Sequence, residues 1–407
     1  MAVTAYRGSR SVTQWQSIPV ATQAAPAQPG GVIDFDREYY GVDARLHWQW
    51  SSFGLVAGVS SEHASDERRG YENFTGTGAS QRLGVTGRLR RNESDGVQTN
   101  DVYAQGDVTL TDSVSATLGV RSGRVKFSSQ DYYLANGNDS GGASFDYTNP
   151  VASLQWAARS DLNLYVSAGR GFESPTLAEL AYRPNGQSGL NTDLQPARSK
   201  QAEIGAKWRD DARRLGLDVA IFRADTDDEI GVATNSGGRS TYTNVGRTRR
   251  EGAEAALRWT ITPQWRTQLA LTALKARYLD DFSATTATAG NRIAGTSGRS
   301  VFGEVVWMPE GWRDTEVGLE WRGAGRTAVD DANSDFAGGY GVGALRAGRV
   351  FDLGSGASFS ISGRIDNITD RKYVGSVIVN DGNSRFFEPA APRAYWIGVK
   401  FAQAFKS

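Results

Sequence analysis

Over most of this chain apolar residues recur at every second position, and the positions between them are polar or charged. Val42, Ala44, Leu46, Trp48 and Trp50 alternate with Asp43, Arg45, His47 and Gln49. Val114, Ala116, Leu118 and Val120 alternate with Ser113, Ser115, Thr117 and Gly119. The same period runs through Leu215 to Ile221, Thr315 to Arg322 and Ser358 to Asp366. A period of two is the mark of a two-sided strand, and few segments show a helical period. The expected class is therefore all-β, with about 16 long strands. If the apolar faces pointed inward, that many strands would need a very large buried core. Placing the apolar face in lipid and the charged face around a wet lumen removes the difficulty, so we expect a transmembrane antiparallel β-barrel.

The connections support this. Short ones fall at 51–54, 110–112, 159–161, 209–212, 262–264, 309–311 and 353–356. Long polar stretches fall between them, at 9–36, 64–96, 128–142, 172–197, 227–240, 280–297, 326–336 and 368–391. Short turns at one rim and long loops at the other are the habit of an outer-membrane barrel. Trp48, Trp50, Phe53, Trp156, Trp259, Trp265, Trp307, Trp312, Tyr395 and Trp396 lie near strand ends, where amphipathic rings sit at the membrane–water boundary. Outer-membrane lipid and lipopolysaccharide are then the expected surroundings. No run of 18 apolar residues is present, so no transmembrane helix is expected. No signal peptide is visible at the start.

Chemistry-bearing motifs are few. The absence of cysteine removes disulfides, thiolate metal sites and a thiol nucleophile. Lys+Arg and Asp+Glu stand at 45 each, so there is no electrostatic case for nucleic acid. His47 is expected on the polar, lumen-side face, and neither it nor His63 has a metal-type neighbour in sequence. Gly169-Arg170-Gly171 lacks the third glycine of a dinucleotide fingerprint. Ser174-Pro175 reads as an N-cap with proline in the first turn of a short helix near 175–180. Asp225, Asp227, Asp228 and Glu229 lack the glycine of a calcium loop and are expected to be a solvated loop face. No catalytic triad or paired carboxylates stand out, and we expect no catalytic residue, cofactor or resident metal. Binding potential rests with the long loops. Tyr71, Phe74, Tyr132, Tyr133 and Arg183 mix aromatic and cationic chemistry suited to a flat, anionic ligand.

Several segments, in order along the chain, resemble the TonB-dependent outer-membrane receptors. The densest is Gly169-Arg170-Gly171-Phe172-Glu173-Ser174-Pro175-Thr176-Leu177-Ala178-Glu179-Leu180, followed by Asn191-Thr192-Asp193-Leu194-Gln195-Pro196. Asn244-Val245-Gly246 with Glu251-Gly252-Ala253-Glu254, then Asp366-Asn367-Ile368 with Tyr373, continue the series. Arg393-Ala394-Tyr395-Trp396 leads into a closing strand whose terminal aromatic is Phe401 or Phe405. The resemblance implies a receptor for active uptake of a scarce chelate, a ferric siderophore first among them, and no enzyme activity. It also implies a barrel of about 22 strands, of which this chain would be the C-terminal part. The plug domain, the TonB box and the signal peptide would lie outside residues 1–407, and contact with the TonB complex would run through that plug. A passive porin of about 16 strands is the alternative, and a soluble all-β enzyme or lectin would need the apolar faces buried.

Overall fold

The computed structural model describes residues 1–404 apart from 188, 237–238, 283–285 and 313; Phe405 lies outside the described residues. One antiparallel sheet of 16 strands, each beside its sequence neighbour, forms the wall. In chain order these are β1 (Ala2–Trp15), β2 (Val32–Gln49), β3 (Phe53–Tyr71), β4 (Leu89–Thr111), β5 (Val114–Asp131) and β6 (Gly141–Arg159). Next come β7 (Leu162–Glu173), β8 (Ala197–Asp210), β9 (Leu215–Asp227), β10 (Thr248–Thr262) and β11 (Trp265–Tyr278). The last are β12 (Arg299–Trp307), β13 (Thr315–Ala324), β14 (Tyr340–Gly354), β15 (Ala357–Asp366) and β16 (Ala394–Gln403). Among the described residues β1 pairs only with β2 and β16 only with β15, so both edges are open.

Register separates the two faces. Val166, Ile204 and Ile221 stand opposite one another across β7, β8 and β9, and the last two are 54% and 60% exposed. Leu319 and Leu345 do the same across β13 and β14. Large apolar side chains exposed in long rows are stable only against another apolar medium, here lipid. The alternate positions carry the charges. Arg346 binds Glu304 (2.7 Å) and also pairs with Glu316, while Arg364 binds Glu320 at 2.6 Å. Arg121 and Tyr147 both donate to Asp101. His47, opposite Val56, takes the polar face as its position in the alternation requires, and His63 takes the outer face beside the Tyr40 ring. Among the described residues no helix is long and apolar enough to cross a membrane, which does not bear on strands that cross one.

The seven short turns fall where the alternation breaks, and eight longer connections leave the opposite rim. Several of those loops are shorter than the polar stretches suggest. Residues 9–15 and 32–36 belong to β1 and β2, and 64–71 and 89–96 to β3 and β4. There the ladder continues above the apolar band with polar side chains on both faces. Arg7 with Glu38 (3.1 Å) and Thr13 with Asp34 (3.0 Å) are cross-strand partners in it. Backbone pairing needs no apolar face, so alternation cannot reveal it. The stretch 227–240 is not open loop either: Ile230–Ser236 and Arg239–Asn244 pair as a hairpin.

An outward arginine at mid-wall, Leu319→Arg, is expected to destabilise the folded protein by roughly 2–4 kcal/mol in lipid. The lumen-facing Thr272→Arg, beside Glu254 in the register, should cost far less. Urea titration of protein refolded into vesicles separates the two; equal losses would mean the faces are misassigned.

Candidate functional site

The loop at 174–196 turns inward and packs on the wall. Among the described residues its only helix, α1 (Leu177–Leu180), is one turn long. Thr176, rather than Ser174, caps it: the Thr176 hydroxyl accepts from Glu179 N–H (3.2 Å), and the Glu179 carboxylate accepts from Thr176 N–H (2.8 Å). This reciprocal box satisfies two otherwise orphan donors, which a serine two residues earlier cannot reach. Leu177, Leu180, Leu190 and Leu194 then bury against Val125, Phe127 and Phe145 of the lumen wall. Phe172 stacks on Tyr147 with ring centroids 4.5 Å apart, just above the last β6–β7 pair, Val151 with Gly169. Pro175 and Pro196 are buried, and Gly171 sits so close to Ser199 that an added Cβ would meet its hydroxyl at 2.4 Å.

The other motif residues are also architectural. Asn367, in the left-handed region at φ 49°, holds both the N–H and the C=O of Arg371 through its amide (2.9 Å each). Tyr373 lies against Tyr340 with centroids 4.3 Å apart. The backbone of Arg393 donates to Asp370 (2.9 Å). Phe401 stands on the outer face opposite Phe359 and is 63% exposed.

The inturned loop carries Tyr182 into a cluster of cations. Arg68 of β3, Arg91 of β4 and Arg239 of the hairpin place their guanidiniums 5.6, 5.3 and 5.1 Å from the Tyr182 ring centre. Arg68 also donates to the phenol oxygen at 3.2 Å. Glu93 answers part of this charge through Arg91 (2.6 Å) and, more distantly, Arg68 (3.9 Å). Arg90 and Arg88 share Glu72 nearby. Burial pushes the Tyr182 phenol up, but the three arginines outweigh it and bring it below the ordinary tyrosine value. Burial, then repulsion from Arg91 and Arg68, lowers Arg239 to about 10. Guanidiniums held around an aromatic ring and a phenol oxygen can recognise a flat aryl ligand bearing negative oxygens.

Loops meet above this cluster. Arg239 donates to Gly30 C=O (2.6 Å), Asn235 to Val379 C=O (2.6 Å), and Asn380 to Val232 C=O (2.6 Å). Connections far apart in sequence are thus tied across the mouth of the lumen.

Of the five loop residues singled out by chemistry, Tyr133 is the one that lines the same cavity as Arg90, Arg91 and Tyr182. Tyr132 beside it is 57% exposed. Tyr71 ends β3 opposite Val32, and Phe74 pairs with Leu83 in a two-residue ladder. Arg183 donates to Leu190 C=O (2.9 Å) and braces its own loop. The triad around Tyr182 was not visible in sequence, because its members come from two strand ends and a hairpin and the ring they surround comes from a loop. The acidic cluster is divided: Asp227 and Asp228 are exposed, as a solvated face requires, whereas Asp225 pairs with Arg223 (2.8 Å) and Arg249 (2.5 Å), and Glu229 with Arg250 (2.7 Å). Arg249 and Arg250 come from the neighbouring strand β10, while Arg223 lies two residues before Asp225 on β9 itself. Among the described residues no three His, Cys, Asp or Glu side chains come together to hold a metal.

A wall with a lipid-facing apolar side, a charged lumen and loops tied over one mouth is the architecture of an outer-membrane β-barrel. Residues 3–368 match the family described as TonB dependent receptor-like, beta-barrel, and the chain belongs to it. That match sets aside the passive porin. A curated relative, the catecholate siderophore receptor Fiu of Escherichia coli K12, is 40% identical over 86 residues, 21% of this chain and 11% of that protein. Among solved structures, the copper transporter OprC superposes with a TM-score of 0.75 at 16% identity, covering 98% of this chain and 62% of that one. The siderophore receptor PiuA of Acinetobacter baumannii gives 0.72 at 15% identity, covering 98% and 60%. At such identities the structural likeness is one of fold, and the chain spans less than two thirds of the length of these proteins.

Spectrophotometric titration of the folded protein should show one phenol ionising below the usual tyrosine range, and Tyr182→Phe should remove that step. A lone early step that survives Tyr182→Phe would place the arginine field elsewhere.

Proposed function

We propose that this barrel serves the uptake of a ferric siderophore whose iron is held by anionic aryl oxygens, the catecholate type. The observation that carries it is the lumen-facing set of Arg68, Arg91 and Arg239 around the Tyr182 ring. Tyr182 occupies a seat matched to a ligand aryl ring, and the ligand's charge would take over the guanidiniums as the ring moves out. Tyr133, which lines the same cavity as Tyr182, and its exposed neighbour Tyr132 would stack on an incoming aryl group; Tyr71, Phe74 and Arg183 would shape the approach. The relative named as a catecholate siderophore receptor supports the choice. Passage inward would be driven through TonB and a plug in the intact receptor, with no covalent chemistry in the barrel and iron travelling as cargo. Export to the outer membrane precedes all of this.

Tryptophan fluorescence of the folded chain titrated with a ferric tris-catecholate tests the proposal. Each of Arg68→Gln, Arg91→Gln and Arg239→Gln should weaken binding about tenfold or more, the worth of one charge-assisted contact. A ferric hydroxamate, which lacks the negative aryl oxygens, should bind poorly to all forms. Equal binding of the two chelates, or arginine variants that bind like the parent, would overturn the assignment.

A further inference from the structure

A little further down β4 than Arg91, an acid is buried with no cation of its own. Asp95 is 2% exposed, and Glu93, two residues before it on the same lumen face, is 5% exposed. Register fixes what surrounds Asp95. Across β3 it stands opposite Asp66, and across β5 opposite Ser129. Asp66 is already held by Arg37 through two bonds (2.6 and 2.7 Å). One row nearer the loops, Glu93 lies between Arg68 and Asp131. Glu93 answers Arg91 at 2.6 Å, and Asp131 accepts from the backbone N–H groups of Tyr133 (2.8 Å) and Asp139 (3.0 Å). Tyr182 of the inturned loop and Arg239 of the hairpin complete the group on the loop side.

Among the described residues Oδ1 of Asp95 is buried with no hydrogen-bond partner. The Ser129 hydroxyl serves the carboxyl, and the Glu93 carboxyl lies within hydrogen-bonding reach of it. Two buried carboxylates side by side repel, and a proton on one of them removes the repulsion and supplies a donor. Burial first, then the charge of Glu93, push the Asp95 carboxyl up to about 7, while Ser129 and Arg91 pull the other way. Residues 89–96 belong to the part of β4 that rises above the apolar band, so this pair is reached from the watery mouth of the lumen.

We propose that Asp95 is a proton-binding site that sets the charge of the arginine seat, so that an anionic ligand is captured together with one proton. Protonated, Asp95 leaves Arg68, Arg91 and Arg239 opposed by Glu93 alone. Ionised, it adds a second negative charge behind them and opposes an incoming anion. An anion seated on the arginines raises the proton affinity of Asp95 by the same factor that the proton raises the affinity for the anion. Binding is therefore tightest below the Asp95 midpoint and weakens as pH rises through it. The proposal rests on the reading that this seat takes an anionic aryl ligand, but not on iron or on catecholate chemistry.

Fluorescence anisotropy of pyrenetrisulfonate, a flat aryl trianion of fixed charge, titrated with the folded full chain in detergent tests it. The Kd should rise by about three- to tenfold between about pH 6 and about pH 8.5, within the limit of about tenfold per pH unit for one linked proton. Asp95→Asn, which matches the protonated form in size and charge, should hold the low-pH affinity across the whole range. Ser129→Ala removes a donor that favours the charged form and should move the midpoint upward. Infrared difference spectra of the chain without ligand should show a protonated-carboxyl band lost as pH rises through about 7 and absent from Asp95→Asn. If Asp95→Asn does not fold, as judged by heat-modifiable mobility on a gel, the shift in Ser129→Ala decides. A parent affinity unchanged by pH, no binding of the trianion at any pH, an Asp95→Asn profile parallel to that of the parent, or an infrared band that survives Asp95→Asn would overturn the proposal. Equal binding of catecholate and hydroxamate chelates with the trianion profile intact would overturn the catecholate reading and leave this one standing.

Discussion

In a bilayer no water is present to take up an unpaired N–H or C=O, so the backbone ladder governs everything else in this molecule. Each inner strand of the wall is bonded on both sides, in register over runs as long as Val32↔Tyr71 to Gln49↔Gly54. Once the ladder is set, the pleat sends alternate side chains to opposite faces, and a slip of one residue would put Arg346 and Glu320 into lipid and Leu319 and Leu345 into the lumen. The high cost of that exchange is what specifies the register. The ion pairs of the lumen follow from it: Glu304, Glu316 and Glu320 stand around Arg346 because three consecutive strands are held in one alignment.

The same alignment decides where the cations go. On the inner side, Arg68 and Arg91 stand two rows apart on neighbouring strands, close enough for one phenol to fit between them. Glu93 and Asp95 follow on the same face of β4. Both clusters are built from residues that look like ordinary surface charges one at a time. The balanced composition, 45 basic and 45 acidic side chains, conceals them because a count says nothing of where on the wall each charge falls.

The stretch from Gly169 to Pro196, densest in family resemblance, is mainly a packing device. Its leucines bury against Phe127 and Phe145, and Thr176 with Glu179 caps a single helical turn. That anchorage is what delivers Tyr182 to the arginines. Scaffold and site therefore lie a few residues apart in one loop: the scaffold residues make the motif, while the contact residue, Tyr182, lies outside it.

The sequence alone determined the number of strands, the seven short turns and, wherever the alternation runs, the side of the wall a residue faces. These depend on a local period of two and on turn residues, both written in consecutive positions. Phe172, Leu177 and Leu194 could be picked out in the same way, though as family-like positions and not as a lumen cluster. Only the tertiary structure decided the height to which the ladders rise, since paired polar strands such as 9–15 with 32–38 show no alternation. It also decided the partners of Asp225 and Glu229, the inward fold of the 174–196 loop, the Arg68–Arg91–Arg239 seat and the surroundings of Asp95. Each of these joins residues that are distant along the chain, and their proximity exists only once the strands are aligned side by side.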